Sequence, residues 1–141
     1  MEFRTVNITD YDRIIELWDM CGLPYKPLGR DTKEKVSREI KEEQEYWKGF
    51  YDDSKLVAVV FGTDDGRKGW INRLAVHPDY RNRGLGTRLV EAMEKEFHSR
   101  DIEVIGVLIE GDNPESMKFF EHLGYVDLQI KYYSKRESMD S

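Results

Sequence analysis

The chain has 141 residues, a length that fits one compact domain able to bury a core without disulfides or a structural metal. Its lone Cys21 rules out an intramolecular disulfide and a cysteine-rich zinc site, and a formal net charge of −6 argues against the broad basic face of a nucleic-acid binder. No run approaches the roughly 18 apolar residues of a membrane span, and "MEFR" does not open a signal peptide; the expectation is a cytoplasmic protein with neither membrane nor nucleic acid as partner.

Polar and apolar residues alternate from Glu2 to Val6, which predicts a first strand. Thr9 or Asp10 can cap a helix whose apolar stripe is Tyr11, Ile14, Ile15, Leu17 and Trp18, ending near Cys21-Gly22. "GLPYKPLGR", with two prolines and two glycines, reads as a loop. Asp31 and Glu34 have the spacing of an acidic capping box and open a polar second helix to about Glu45. "WKGFY", a turn at Asp52-Asp53-Ser54, and "KLVAVVFG" form a hairpin; its second strand is continuously apolar from Leu56 to Phe61 and is expected at the centre of a sheet.

"WINRLAVH" is the next strand, and Gly84–Ser99 the next helix, with Leu85, Leu89, Met93 and Phe97 on one face. "IEVIGVLIE" predicts another central strand. Asn113 then caps a helix that begins with Pro114 and ends at Leu123-Gly124. "YVDLQIKYYSKR" predicts a final strand or bent strand pair. The order β-α-α-β-β-β-α-β-α-β describes a mixed α/β fold around one sheet, over residues 1–136, with 137–141 as a polar tail. That last strand is short, so its edge invites cover by a second copy, which makes a homodimer a candidate state.

The chemistry concentrates at "RNRGLGT", Arg81–Thr87. Gly84 and Gly86 let the main chain approach a ligand. The first turn of the following helix presents unpaired N–H groups backed by the positive end of the helix dipole, which makes an anion site. Arg81, Arg83 and Arg88 add charge, Arg67 and Lys68 are expected nearby, and Thr87 offers a hydroxyl. Taken alone, the glycines fit a plain strand-to-helix turn with solvated arginines better than they fit an anion site. The third small residue of a dinucleotide fingerprint is missing at Leu89, and the P-loop Gly-Lys-Ser/Thr is absent, so a dinucleotide-binding module is the weaker alternative.

This turn resembles the cofactor motif of the GNAT superfamily of N-acetyltransferases, Arg/Gln-x-x-Gly-x-Gly/Ala, filled here by Arg81, Gly84 and Gly86. "EGDNPESMKFFEHLGY" is similar to the family's second cofactor segment, and the element order matches over nearly the whole chain. The resemblance implies a GNAT-like acyl-CoA N-acyltransferase fold in which "WINRLAVH" and "IEVIGVLIE" splay apart to admit acetyl-CoA, with no metal. It implies that the strand segment Leu74, Ala75 and Val76 bonds the pantetheine and acetyl carbonyl. Asn82, Arg83, Gly84, Leu85, Gly86 and Thr87 then hold the pyrophosphate, while Asn113 and Phe120 meet the cofactor from the opposite side.

The implied reaction is direct attack of a primary amine on the thioester, with the Val76 amide as oxyanion donor. Phe120 stands where many family members carry an acidic tyrosine, so Tyr125 and Tyr132 become substitute candidates for the acid. Glu110 and Asp112 are candidates for a base acting through water. The acceptor would meet Tyr25, Trp70, Asn72 and Arg73. "IKYYSK" is similar to protein N-terminal and ribosomal-protein acetyltransferases, which leaves small molecules and protein amines both open. The alternative from another class is an acetyl-CoA-binding regulatory protein with little turnover.

Overall fold

A computed structural model describes residues 1–141. The sheet has five strands in sequential order: β1 (Glu2–Thr5), β2 (Trp47–Asp52), β3 (Lys55–Asp64), β4 (Lys68–Val76) and β5 (Val104–Val107). The pairs β1–β2, β2–β3 and β3–β4 are antiparallel and β4–β5 is parallel. Helices α1 (Tyr11–Met20) and α2 (Lys33–Glu42) join β1 to β2; α3 (Leu85–Ser99) crosses from β4 to β5; α4 (Pro114–His122) follows β5.

The central role read from the run Leu56–Phe61 is borne out: Leu56 to Val60 are all buried in the middle of the sheet. Phe61 turns to the α1 side, stacked on Trp47 at 4.3 Å and next to Trp18. On the other face α3 buries Leu85, Leu89, Val90, Met93 and Phe97, each burial contributing roughly 1.5–3 kcal/mol. Phe97 can lie flat on β4 because Gly69 has no side chain; a Cβ there would come within 2.5 Å of the ring.

Three expectations are corrected. The second helix is capped by Thr32, whose hydroxyl accepts from Lys35 N–H, and ends at Glu42; Asp31 is buried and serves elsewhere. The strand "IEVIGVLIE" contracts to Val104–Val107 and forms the sheet's edge, not its centre. It lies there because the predicted final strand does not form: from Tyr125 to Arg136 the chain makes no ladder bonds, Gln129 breaks it at φ +55° with its N–H on Asp127 Oδ1, and Val126, Leu128 and Ile130 are 72–79 % exposed. The tail turns back on the loop between α1 and α2, where Lys26 Nζ donates to Met139 O at 3.0 Å. No helix is long and apolar enough to cross a membrane.

Candidate active site

The register of β4 explains how a gap opens in the sheet. Ala75 faces Val59 and Asn72 faces Phe61, so Arg73 and Leu74 together oppose the single Val60. Arg73 takes the extra place with φ +46°, a left-handed conformation that costs a branched or long side chain energy and bends the strand. Below this bulge β4 pairs with β5, from Lys68 with Val104 to Ile71 with Val107. Above it β4 runs on to Val76 alone, and the chain beyond Val107 turns off toward α4. The splay expected between the two parallel strands is therefore present.

The same register sets which main-chain groups face that gap. His77 N–H donates to Val57 C=O at 2.8 Å. In an antiparallel ladder bonded and non-bonded pairs alternate, so Ala75 and His77 point at β3 while Leu74 and Val76 point away from it. Ala75 is buried in the ladder and offers the gap nothing. The Val76 carbonyl is engaged, accepting from Arg81 Nε at 3.0 Å and from Cys21 Sγ at 3.4 Å. Its N–H stays turned toward the gap.

Past Val76, His77 caps a short 3-10 turn, Pro78–Tyr80, with its Nδ1 accepting from Asp79 N–H. Then Asn82, at φ +62°, and Gly84, at φ +77°, twist the chain into α3. No amide from Asn82 through Thr87 has an acceptor in the protein: the first internal bond of the turn is Arg88 N–H to Gly84 C=O. The result is a concave run of main-chain donors at the positive end of a 15-residue helix. Asn82, Arg83 and Gly84 are exposed, and Gly86 sits under Phe119 of α4, 3.3 Å from where its Cβ would be.

The charges differ from expectation. Arg81 and Arg83 belong to the turn, Arg83 resting on the Tyr80 ring at 4.9 Å. Arg88 instead lies over Phe50, and Arg67 and Lys68 sit at the opposite end of β4, too far away to help.

Across the gap, Asn113 spends its side-chain oxygen on capping α4, accepting from Ser116 N–H at 3.2 Å, and keeps its NH2 group free. Phe120 is buried between Phe119 and Tyr125, with ring centroids at 5.0 and 5.3 Å. Tyr125 donates its hydroxyl to Glu94 at 2.8 Å, and burial together with that carboxylate raises its pKa, which makes it a poorer acid. Glu110 and Asp112 are exposed on the loop after β5 and form no ion pair. Tyr132 lies away from the gap, at a surface hollow beside Gly29, Arg30 and Lys35.

Of the acceptor candidates, Arg73 and Tyr25 come together. The Arg73 guanidinium grips Asp31 through two bonds, 2.7 and 2.9 Å, and lies over Trp18 at 4.6 Å, with the Tyr25 ring 6.4 Å from that indole. Asn72 is tied to Thr63 and the Trp70 carbonyl, and Trp70 covers Gly106 in the paired half of the strands. Trp18 and Cys21 belong to the first helix and the loop after it, and Asp31 is the member of this site that the sequence did not disclose. Asp31 was hidden by its resemblance to a helix cap, and the pairing with Arg73 spans 42 positions. No cluster of three or more histidine, cysteine or carboxylate side chains able to hold a metal is present.

A sheet parted above a bulge, with a nest of free amides at its mouth, suits a ligand that is extended at one end and anionic at the other. The acetyltransferase (GNAT) family model matches residues 11–125. The chain belongs to the GNAT family. An acetyltransferase of Sodalis glossinidius is 30% identical over 125 residues, 89% of this chain and 87% of that protein. One from Yersinia pseudotuberculosis is 29% identical over 140 residues, 99% of this chain and 98% of its own. PaiA N-acetyltransferase from Thermoplasma acidophilum, solved in complex with coenzyme A, superposes with a TM-score of 0.76 at 21% identity, covering 86% of this chain and 87% of that one. AAC(6')-Iy, in complex with a bisubstrate analogue, gives 0.74 at 17%, covering 96% and 97%. This GNAT protein is an N-acetyltransferase by family and fold.

Proposed function

We propose that this GNAT protein transfers the acetyl group of acetyl-CoA to a primary amine by direct attack within a ternary complex. The observation that carries the reading is the unbroken run of acceptor-less amides from Asn82 to Thr87 at the mouth of the strand gap. Those donors, with Arg81 and Arg83, suit the diphosphate of coenzyme A; Leu74 and Val76 suit the pantetheine, and the Asn113 amide group its far side. The solved complexes of PaiA with coenzyme A and of AAC(6')-Iy with a CoA-linked analogue support the choice of cosubstrate.

The chemistry asks little of the protein. A lysine-like ammonium, pKa about 10.4, must lose a proton before its nitrogen can attack; in this reading Glu110 and Asp112 relay that proton through water. As the C–N bond forms, the carbonyl oxygen gains charge and accepts a hydrogen bond that the Val76 N–H donates. The C–S bond then breaks, the attacking nitrogen gives up its second proton to water, and the thiolate takes one from water, since the Phe120 ring has none to give. Holding amine and thioester together supplies up to roughly 7–11 kcal/mol. The acceptor lies on the side walled by Tyr25, Arg73 and the Lys26–Asp31 loop, and it is a small molecule or a protein amine.

Calorimetric titration with acetyl-CoA tests the site. A long side chain at position 86 is blocked by Phe119 on one side and must turn into the amide nest. Gly86→Glu is expected to weaken binding at least 100-fold with the far-ultraviolet spectrum unchanged; undiminished affinity would remove the turn from the site. The buried Phe120 favours one second reading, a cofactor-binding regulator with little turnover. Thiol release on a panel of amines separates the two: tight binding with no release selects the regulator.

A further inference from the structure

On the β3 side of the end of β4, away from the gap, α1 and the turn between β2 and β3 enclose a hollow of about 270 Å³. Its floor is apolar, made by Leu17, Met20 and Leu56, and His77 closes one wall. His77 is only 8 % exposed. Its Nδ1 accepts from Asp79 N–H at 3.0 Å, so in the neutral ring the proton sits on Nε2. That Nε2–H has no acceptor in the protein, yet it is not sealed in: Trp18 Nε1 is the only fully enclosed side-chain nitrogen or oxygen that lacks a partner. The cations at the rim are uncommitted too. Arg13 spends Nη1 on Asp10 and keeps Nε and Nη2, while Lys55 forms no ion pair and lies 5.6 Å above the Tyr80 ring. Among the carboxylates close by, Asp10 is taken by Arg13 and Tyr51, Asp52 accepts the Tyr80 hydroxyl, and Glu16 stands unpaired on the rim.

We propose that this hollow binds a small monocarboxylate with an apolar tail, at a site separate from the coenzyme gap. Arg13 and Lys55 set against Glu16 leave one net positive charge while His77 is neutral, which matches one negative charge and not the two of a phosphate monoester. One carboxylate oxygen accepts the His77 Nε2–H. The other accepts from Lys55 and the free edge of Arg13, bonds strengthened by charge on both partners. The tail lies on Leu17, Leu56 and Met20, where a short alkyl chain leaves water. The place of His77 in the strand gives the site its interest. It directly follows Val76, whose N–H faces the gap, and its own N–H is fixed on Val57 C=O. An occupant therefore braces the strand end that presents the Val76 amide, without entering the gap itself.

Nuclear magnetic resonance of the full chain reads the site without coenzyme or turnover. Sodium butyrate is titrated against sodium chloride at matched ionic strength, and the His77 ring resonances are expected to move saturably with butyrate alone. Excess acetyl-CoA should leave that movement intact. Lys55→Met removes one charged partner and is expected to raise the butyrate dissociation constant about tenfold. Glu16→Gln removes the opposing charge and is expected to lower it severalfold. Both side chains are exposed and unpaired, so both variants are expected to fold. No saturable movement, or a response that Lys55→Met leaves unchanged, overturns the proposal. So does tighter binding of inorganic phosphate than of butyrate, which would reject the monocarboxylate. Loss of the butyrate response in acetyl-CoA overturns it as well, since the anion then sits in the amide nest of the gap.

Discussion

Asp31 is 5 % exposed, and each of its polar groups is spoken for. One carboxylate oxygen takes Arg73 Nη1; the other takes Arg73 Nη2 and the Lys26 N–H at 2.7 Å; the carbonyl takes the Tyr11 hydroxyl. The side chain thus pins the loop before α2 to the bulge of β4, and with it the wall proposed to meet the acceptor. Asp31→Asn cannot satisfy both guanidinium nitrogens and leaves a cation over Trp18. Steady-state kinetics are expected to show the acceptor KM raised about tenfold, roughly 1.4 kcal/mol, with the dissociation constant for acetyl-CoA within about twofold of wild type. Arg73→Lys should not be tolerated better than Asp31→Asn, because an ammonium lacks the two-pronged geometry. Equal losses for both substrates would make the pair a general prop. This part of the site was opaque in the sequence, where Asp31 with Glu34 imitates a cap, whereas Arg81, Gly84 and Gly86 announced themselves because their chemistry is local and depends on spacing alone.

At the scale of elements, α1 starts where the sequence placed it, at Tyr11 behind Asp10, but the Asp10 side chain makes no cap bond there. Asn7 caps the short 3-10 turn that leads in, and Asp10 answers it by accepting the Asn7 N–H at 3.0 Å. Asp10 also receives the Tyr51 hydroxyl and Arg13 Nη1, both at 2.7 Å, tying the helix to β2. Burial pushes its pKa up, but these three hydrogen bonds outweigh burial and hold it below the ordinary carboxylate value. A depressed native pKa means stability that is full above the unfolded value, about 3.9, and lost as pH falls through the native one. Asp10→Asn should therefore cost about 2–3 kcal/mol at pH 7. Urea titrations should show that deficit shrinking steadily below about pH 4, and a pH-independent deficit would assign the loss to packing.

The helices α3 and α4 and the strands β2 to β4 were legible because periodicity and caps act over a few residues. The edge position of β5 and the unpaired segment after Tyr125 were not: an alternating apolar pattern states that a strand is wanted, and does not show that Gln129 breaks it.

For the molecule as a whole, α1 and α2 cover one side of the sheet and α3 the other, but above the bulge β4 and the chain after β5 are parted. A ligand filling that gap would close it, and anything that binds only the folded form raises its stability by mass action. Acetyl-CoA at one hundred times its dissociation constant is expected to add about 2.7 kcal/mol. For a chain of this size that raises Tm by roughly 5–10 °C. Differential scanning of wild type and Gly86→Glu checks it: only the wild type should respond, and a shift retained by Gly86→Glu would place the coenzyme somewhere other than the turn.

The surplus residue in β4 has a consequence for how such a pocket can be lost. Were Arg73 and Leu74 reduced to a single residue, the ladder would continue upward without a break and β4 would zip onto the chain beyond Val107. The doorway would seal while every α3 amide stayed in place. The width of the proposed doorway is thus set by chain count, one amino acid more on one ribbon than on its neighbour, and a one-residue deletion is expected to shut it.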